Sequence, residues 1–298
     1  LLTTLNALSA RAFGEGEFWL SAIKVVTVIV FLIAGVAMIA GIVGGKPAGF
    51  GNWTTGDAPF HGGMLAIVSV FMVAGFSFQG TELVGVAAGE ARNPRRDVPK
   101  AIHTVFWRIM IFYIGAITVI GFLIAFNDSR LLHTETEDVA YSPFTLVFER
   151  AGIGIAAAIM NAVILTAVLS AGNSGLYAST RMLWSLANEG TLPKVLARTN
   201  RFGVPALAMG LSMVGGLASL LTSTYAASTV YLVLVSVSGL AVVLVWVVIA
   251  ACHLSFRRRW LAEGRSLEDL AYRAPGYPWV SIAALGLSMA SCLLIVFD

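Results

Sequence analysis

Charge is scarce in this sequence: Asp, Glu, Lys and Arg make up 12% of 298 residues, about half the share of an ordinary soluble domain. Apolar residues fill 58% of the chain and mean hydropathy is +0.85. They arrive in blocks of about twenty or more, longer than any soluble core requires. Cysteine is nearly absent, and Cys252 and Cys292 fall near opposite ends of successive apolar blocks, which excludes a disulfide scaffold. Histidine is also sparse. His61, His103, His133 and His253 all lie at the edges of apolar blocks, so a histidine proton relay is not expected. No phosphate-binding loop, metal-ligand cluster or nucleophile–base pair is present, and nothing points to an enzyme or a bound cofactor.

The apolar blocks establish the fold class. In lipid, backbone polar groups must be satisfied within each segment, so the chain is expected to be an all-α integral membrane protein. Seven spans are predicted at about 18–43, 63–90, 103–126, 151–180, 204–222, 226–252 and 276–297. The formal net charge of +3 does not imply nucleic acid, because the basic residues sit in short connections between the blocks. Arg92, Arg95, Arg96 and Lys100 follow the second span. Arg181, Lys194, Arg198 and Arg201 follow the fourth, and Arg257, Arg258, Arg259, Arg265 and Arg273 follow the sixth. The alternate connections are poor in Lys and Arg, so the positive-inside rule places the start of the first span in the cytoplasm and Asp298 outside. The chain reads as one transmembrane domain over residues 1–298. It opens on Leu1-Leu2-Thr3-Thr4 with no starting Met or signal peptide, and is expected to be a piece of something longer.

Two connections have their own composition. Residues 44–62 are rich in Gly, Pro and Trp, which suits a folded external loop. Residues 127–142 carry Asp128, Glu135, Glu137 and Asp138, read either as an acidic mouth that attracts cations or as a solvated loop. The glycosylation patterns at Asn52 and Asn127 are short enough to arise by chance.

Charged residues inside a bilayer are costly and usually functional. Glu82 stands about eight residues, roughly 12 Å, from the cytoplasmic end of its span, too deep to snorkel. Lys24 lies about six residues into the first span, where it either snorkels to the surface or serves the interior. Around Glu82, the segment Gly75-Phe76-Ser77-Phe78-Gln79-Gly80-Thr81 places two glycines and three polar side chains at mid-membrane. Gly lowers helix stability, and Ser and Thr compete for backbone hydrogen bonds, so an interruption is predicted between about Ser77 and Thr81. Interrupted helices are how many secondary transporters hold solutes; close helix packing through small residues is the alternative. Glu90 stands near Arg92 and Arg95, with which it can simply pair. In the fourth span Asn161, Thr166, Ser170, Asn173, Ser174 and Ser179 read equally as cavity lining or as interhelical hydrogen-bond glue.

The run from Phe76 to Ile102, FSFQGTELVGVAAGEARNPRRDVPKAI, resembles the sixth helix and following loop of amino acid permeases in the amino acid–polyamine–organocation superfamily. Gln79-Gly80-Thr81-Glu82 and Gly89-Glu90 are similar to the lysine-specific branch, and residues 142–152 and 160–184 extend the likeness. The resemblance implies a LeuT-type inverted-repeat fold, with the seven spans standing for helices five to eleven of twelve. It implies proton-coupled uptake of lysine or a similar cationic amino acid at a multi-pass protein of the cell inner membrane. The partners would be an amino acid, a proton and the lipid bilayer. Phe76 matches an aromatic that closes over substrate, and Ser77, Phe78, Gln79, Gly80 and Thr81 the unwound stretch beside Glu82. Lys24 matches a lysine standing where sodium-coupled relatives bind a cation. Glu82, Glu90 and Asp138 match acidic positions associated with lysine recognition. A permease or exchanger for neutral or aromatic amino acids, and a membrane sensor or scaffold without transport, are the competing functions.

Overall fold

The computed structural model describes residues 10–44, 46–56, 58, 60–63, 66, 77–88, 91, 93–132, 142–220 and 227–297. Its elements are helical throughout the described residues. In chain order they are α1 (Ala10–Ile39), α2 (Leu83–Ala87), α3 (Pro94–Arg108), a π-helical stretch (Ile109–Ile114) and α4 (Gly115–Leu123). Then come α5 (Ser129–Leu132), α6 (Pro143–Arg150), α7 (Ala156–Asn188), α8 (Ala206–Ser219), α9 (Ala227–Ala262) and α10 (Trp279–Phe297). Among the described residues, four stretches are long and apolar enough to cross a bilayer: Phe13–Ile39, Pro94–Leu123, Ala156–Asn188 and Val237–Ala262. Ala206–Ser219 and Trp279–Leu293 are shorter apolar helices.

Several helices run past the limits set by hydropathy. α1 begins at Ala10 because Glu15 and Glu17 end the apolar window without ending the helix. Arg95, Arg96 and Lys100, predicted for a loop, lie on the first turns of α3. There Pro94 opens the helix and Asn93 N–H donates to the Asp97 carboxylate at 3.3 Å, an acidic group at the favourable end of the dipole. Arg181 likewise belongs to α7, and Arg257, Arg258 and Arg259 to α9. Charge marks where the bilayer ends; it does not stop a helix.

Two compact units divide the chain. The first comprises residues 1–59 and 106–217. Its core joins Phe31 of α1, Val119 of α4, Leu146, Val147 and Phe148 of α6, and Met160 of α7. Phe31 is fully buried, with its ring centroid 4.5 Å from Phe144 and 5.8 Å from Phe148. Between lipid-soluble helices such contacts act through dispersion and close fit rather than through loss of water. α1 and α4 approach closely because Gly35 has no side chain: a Cβ there would overlap Val119 Cγ1. Gly35→Ala should therefore cost about 1–3 kcal/mol through overpacking. Thermal unfolding in detergent checks this, and Val119→Ala in the same chain should restore most of the loss.

Within the same unit, residues 46–56 of the predicted external loop are folded. A 3₁₀ turn at Gly51–Trp53 rests on α4, where Trp53 packs against Gly121 and Phe122. Asn52 Nδ2 donates to the Phe122 carbonyl at 2.8 Å, so this side chain of the glycosylation pattern is half-buried and engaged.

The second unit comprises residues 60–105 and 218–298, with α9 and α10 packed as an antiparallel hairpin. Its polar end is joined by His253, whose Nδ1 lies 2.8 Å from Ser281 Oγ, and by Tyr277 against the His253 ring. Arg257 is buried, its guanidinium 5.1 Å from the Tyr277 ring centre. His253, predicted just outside its span, thus stands inside α9 because that helix continues to Ala262.

Candidate functional site

The predicted interruption is visible on its C-terminal side. Phe78 to Glu82 form turns, and α2 resumes at Leu83. Hydrogen bonds there run three residues back instead of four: Thr81 N–H to Phe78 O at 3.4 Å, and Leu83 N–H to Gly80 O at 3.2 Å. Gly80 has φ +96°, a conformation open to glycine and strained for other residues. The Gly80 N–H donates to both Glu82 carboxylate oxygens, at 3.0 and 3.1 Å. One amide of the predicted interruption is thus held by Glu82. Neighbouring Gln79 accepts from Ser238 Oγ of α9 at 3.3 Å, which ties the turn to the long helix. Glu82 and Thr81 are half-buried, whereas Ser77 and Gln79 are exposed. Phe76 and Glu90 lie outside the described residues, as does Asp138.

In the first unit Lys24 is directed at α7, not at a surface. Its Nζ donates to Ser170 Oγ at 2.6 Å, and Ser170 is 1% exposed. The same Ser170 hydroxyl donates to Glu17 Oε1. Ser21 Oγ also donates to Glu17 Oε1, at 3.2 Å, and Asn173 Nδ2 to Glu17 Oε2, at 3.3 Å. Asn173 is fully buried. Below this cluster Phe13 stacks on Tyr177 with centroids 4.2 Å apart, and Arg181 lies 5.3 Å from the Tyr177 ring centre.

Glu17 is the residue that sequence reasoning missed. The hydropathy limit at residue 18 left it outside the first span, although the signal was available. Positions 13, 17, 21 and 24 share one face of a helix; Phe13, Glu17 and Lys24 meet α7, and Ser21 bonds Glu17. Of the six polar residues predicted on the fourth span, Ser170 and Asn173 join α1. Thr166 and Ser179 instead bond carbonyls of their own helix, Val163 O at 2.8 Å and Leu176 O at 3.2 Å.

The acidic-mouth reading is weakened at its first member. Asp128 pairs with Arg130 at 2.9 Å and Arg150 at 3.3 Å. The hydrogen bonds from Arg130 hold its carboxyl down at about 2. Arg150 also caps α4 through the Leu123 carbonyl. Asp128 is therefore charge-balanced in place. Glu135 and Glu137 lie outside the described residues.

The sequence pattern of the family described as amino acid permease matches residues 1–298. The chain is 51% identical to the lysine-specific permease LysP of Escherichia coli (strain K12) over 293 residues, which cover 98% of this chain and 59% of that protein. It is 47% identical to LysP of Lactococcus lactis subsp. cremoris (strain MG1363), over 96% of this chain and 57% of the relative. The histidine permease HisP of the same strain is 44% identical, over 96% and 60%. The chain thus spans about three-fifths of the length of these curated relatives. With its apolar helices and a match that runs from end to end, it is a multi-pass membrane protein belonging to the amino acid permease family.

Proposed function

We propose that this chain is the part of a proton-coupled permease corresponding to helices five to eleven of twelve in a LeuT-type fold. Its substrate is lysine or a similar cationic amino acid, carried across the bacterial inner membrane. The observation that carries the substrate class is the identity of 51% and 47% to two lysine-specific permeases over nearly the whole chain. The non-helical turn at Phe78–Glu82 supports the reading, because backbone freed from a helix at mid-membrane is where this type of transporter holds a zwitterion.

In this proposal Phe76 to Thr81 contact substrate. Glu82 offers the counter-charge that an ammonium needs away from water. Glu90 and Asp138 contribute to cation recognition. Lys24, hydrogen-bonded in the interior of its own unit, carries the coupling proton. The 44% identity to a histidine permease favours a second substrate, an imidazole-bearing amino acid.

Uptake of labelled lysine by the complete permease, challenged with unlabelled amino acids, separates these readings. Lysine and its close cationic analogues should compete at least tenfold better than histidine or neutral amino acids. Histidine competing better than lysine would move the assignment to the second substrate, and equal competition by neutral amino acids would remove cation selectivity altogether.

A further inference from the structure

We infer that Glu17 and Ser170 form, with Lys24, a three-membered proton relay, and that Glu17 is the group through which the coupling proton leaves Lys24. The inference rests on the permease reading given above and adds to it a route and two residues. Ser170 Oγ is placed as a bridge: it accepts from Lys24 Nζ and donates to Glu17 Oε1. A hydroxyl that accepts on one side and donates on the other can pass a proton without moving its oxygen. As an N–H bond of the Lys24 ammonium breaks, an O–H bond forms on Ser170. The hydroxyl's own proton passes to Glu17 Oε1. Lys24 ends as a neutral amine, Glu17 as a carboxylic acid, and Ser170 is unchanged. The step converts two opposite charges into two neutral groups, a change that a setting poor in water favours relative to solution. Glu17 then releases the proton to water from a half-buried position, while Ser170 is 1% exposed.

The surroundings keep the relay directional. Glu17 stands seven residues before Lys24, about 10 Å along the helix, toward the end that the charge pattern places in the cytoplasm. Asn173 and Ser21 hold its carboxylate in line with the hydroxyl. Among the described residues, Glu15 shares the helix of Glu17 and Lys24. Arg108, at the end of α3, acts on Lys24, and Arg181 of α7 is engaged with Tyr177. α4 brings no charged residue, and α6 carries Glu149 and Arg150 at its exposed end.

Glu17→Gln keeps the shape and an acceptor oxygen but cannot take up the proton. Ser170→Ala removes the bridge and leaves both ends intact. In the complete permease reconstituted into liposomes, each variant should lose at least tenfold of pH-gradient-driven lysine accumulation. Lysine counterflow, which needs no net proton movement, should stay within about twofold of the unaltered protein. Because the three groups act in series, the double variant should be no worse than either single one. Undiminished gradient-driven accumulation by either variant would overturn the relay. So would losses that add in the double variant, or loss of counterflow in both single variants, which would make these residues part of the substrate path or of the packing. An unaltered permease that accumulates no amino acid at all would instead bring down the permease reading, a result separable from any of these.

Discussion

Glu82→Gln in the complete permease should weaken lysine binding by two to three orders of magnitude. Leaving a buried cation without its counter-charge costs about 3–5 kcal/mol, and each factor of ten in affinity corresponds to about 1.4 kcal/mol. The substitution is a clean probe because of what the carboxylate does locally. Glu82 accepts the Gly80 N–H in the turn, and the carbonyl of a glutamine can accept the same bond. The turn keeps its shape and only the charge is lost. Glu82→Ala removes the acceptor as well, leaves the Gly80 amide without this bond, and should add about 1–3 kcal/mol of instability. Direct binding of labelled lysine to purified protein, alongside a neutral amino acid, reads out the role. A selective loss for lysine places the carboxylate against the substrate ammonium. An equal loss for both assigns it to the proton. Normal lysine binding by Glu82→Gln would defeat both roles and leave Glu82 as the clasp of its own turn.

That clasp shows how far the sequence could be read. Gly80, between Gln79 and Thr81, signalled a break because glycine tolerates what a helix does not, and its φ of +96° agrees. Composition could not say that Glu82 would fold back onto Gly80, since a two-residue contact depends on the turn geometry and not on periodicity. The helix ends show a second limit. Hydropathy tracks lipid, so it stopped at the charged turns of α1, α3, α7 and α9, where the backbone continues. This displaced Glu17 from consideration, although its spacing to Ser21 and Lys24 places all three on one helical face. Burial on α7 was also ambiguous in sequence. Ser170 and Asn173 join α1 while Thr166 and Ser179 bond their own helix, and only the direction in which each side chain points distinguishes them.

Lys24→Gln should abolish the ability of a pH gradient to concentrate lysine while leaving its facilitated entry intact. One proton moved with each substrate lets a gradient of one pH unit supply about 1.4 kcal/mol, enough for a tenfold concentration ratio. Two units allow about a hundredfold by the same conversion. Without the Lys24 amine to take up the proton the ratio should fall to about one, because no proton is obliged to accompany the solute. Lysine is itself a cation, so the membrane potential must be clamped during the measurement for the ratio to report proton coupling alone. The substitution is informative because α1 and α7 keep the bonds that Ser170 and Asn173 make to Glu17, so their polar link survives the loss of the Lys24 contact. Lysine counterflow should therefore persist and show that the variant is folded. If Lys24→Gln still accumulates lysine in proportion to the pH gradient, the coupling proton travels elsewhere, and the bond between Lys24 and Ser170 is a fastening between two helices.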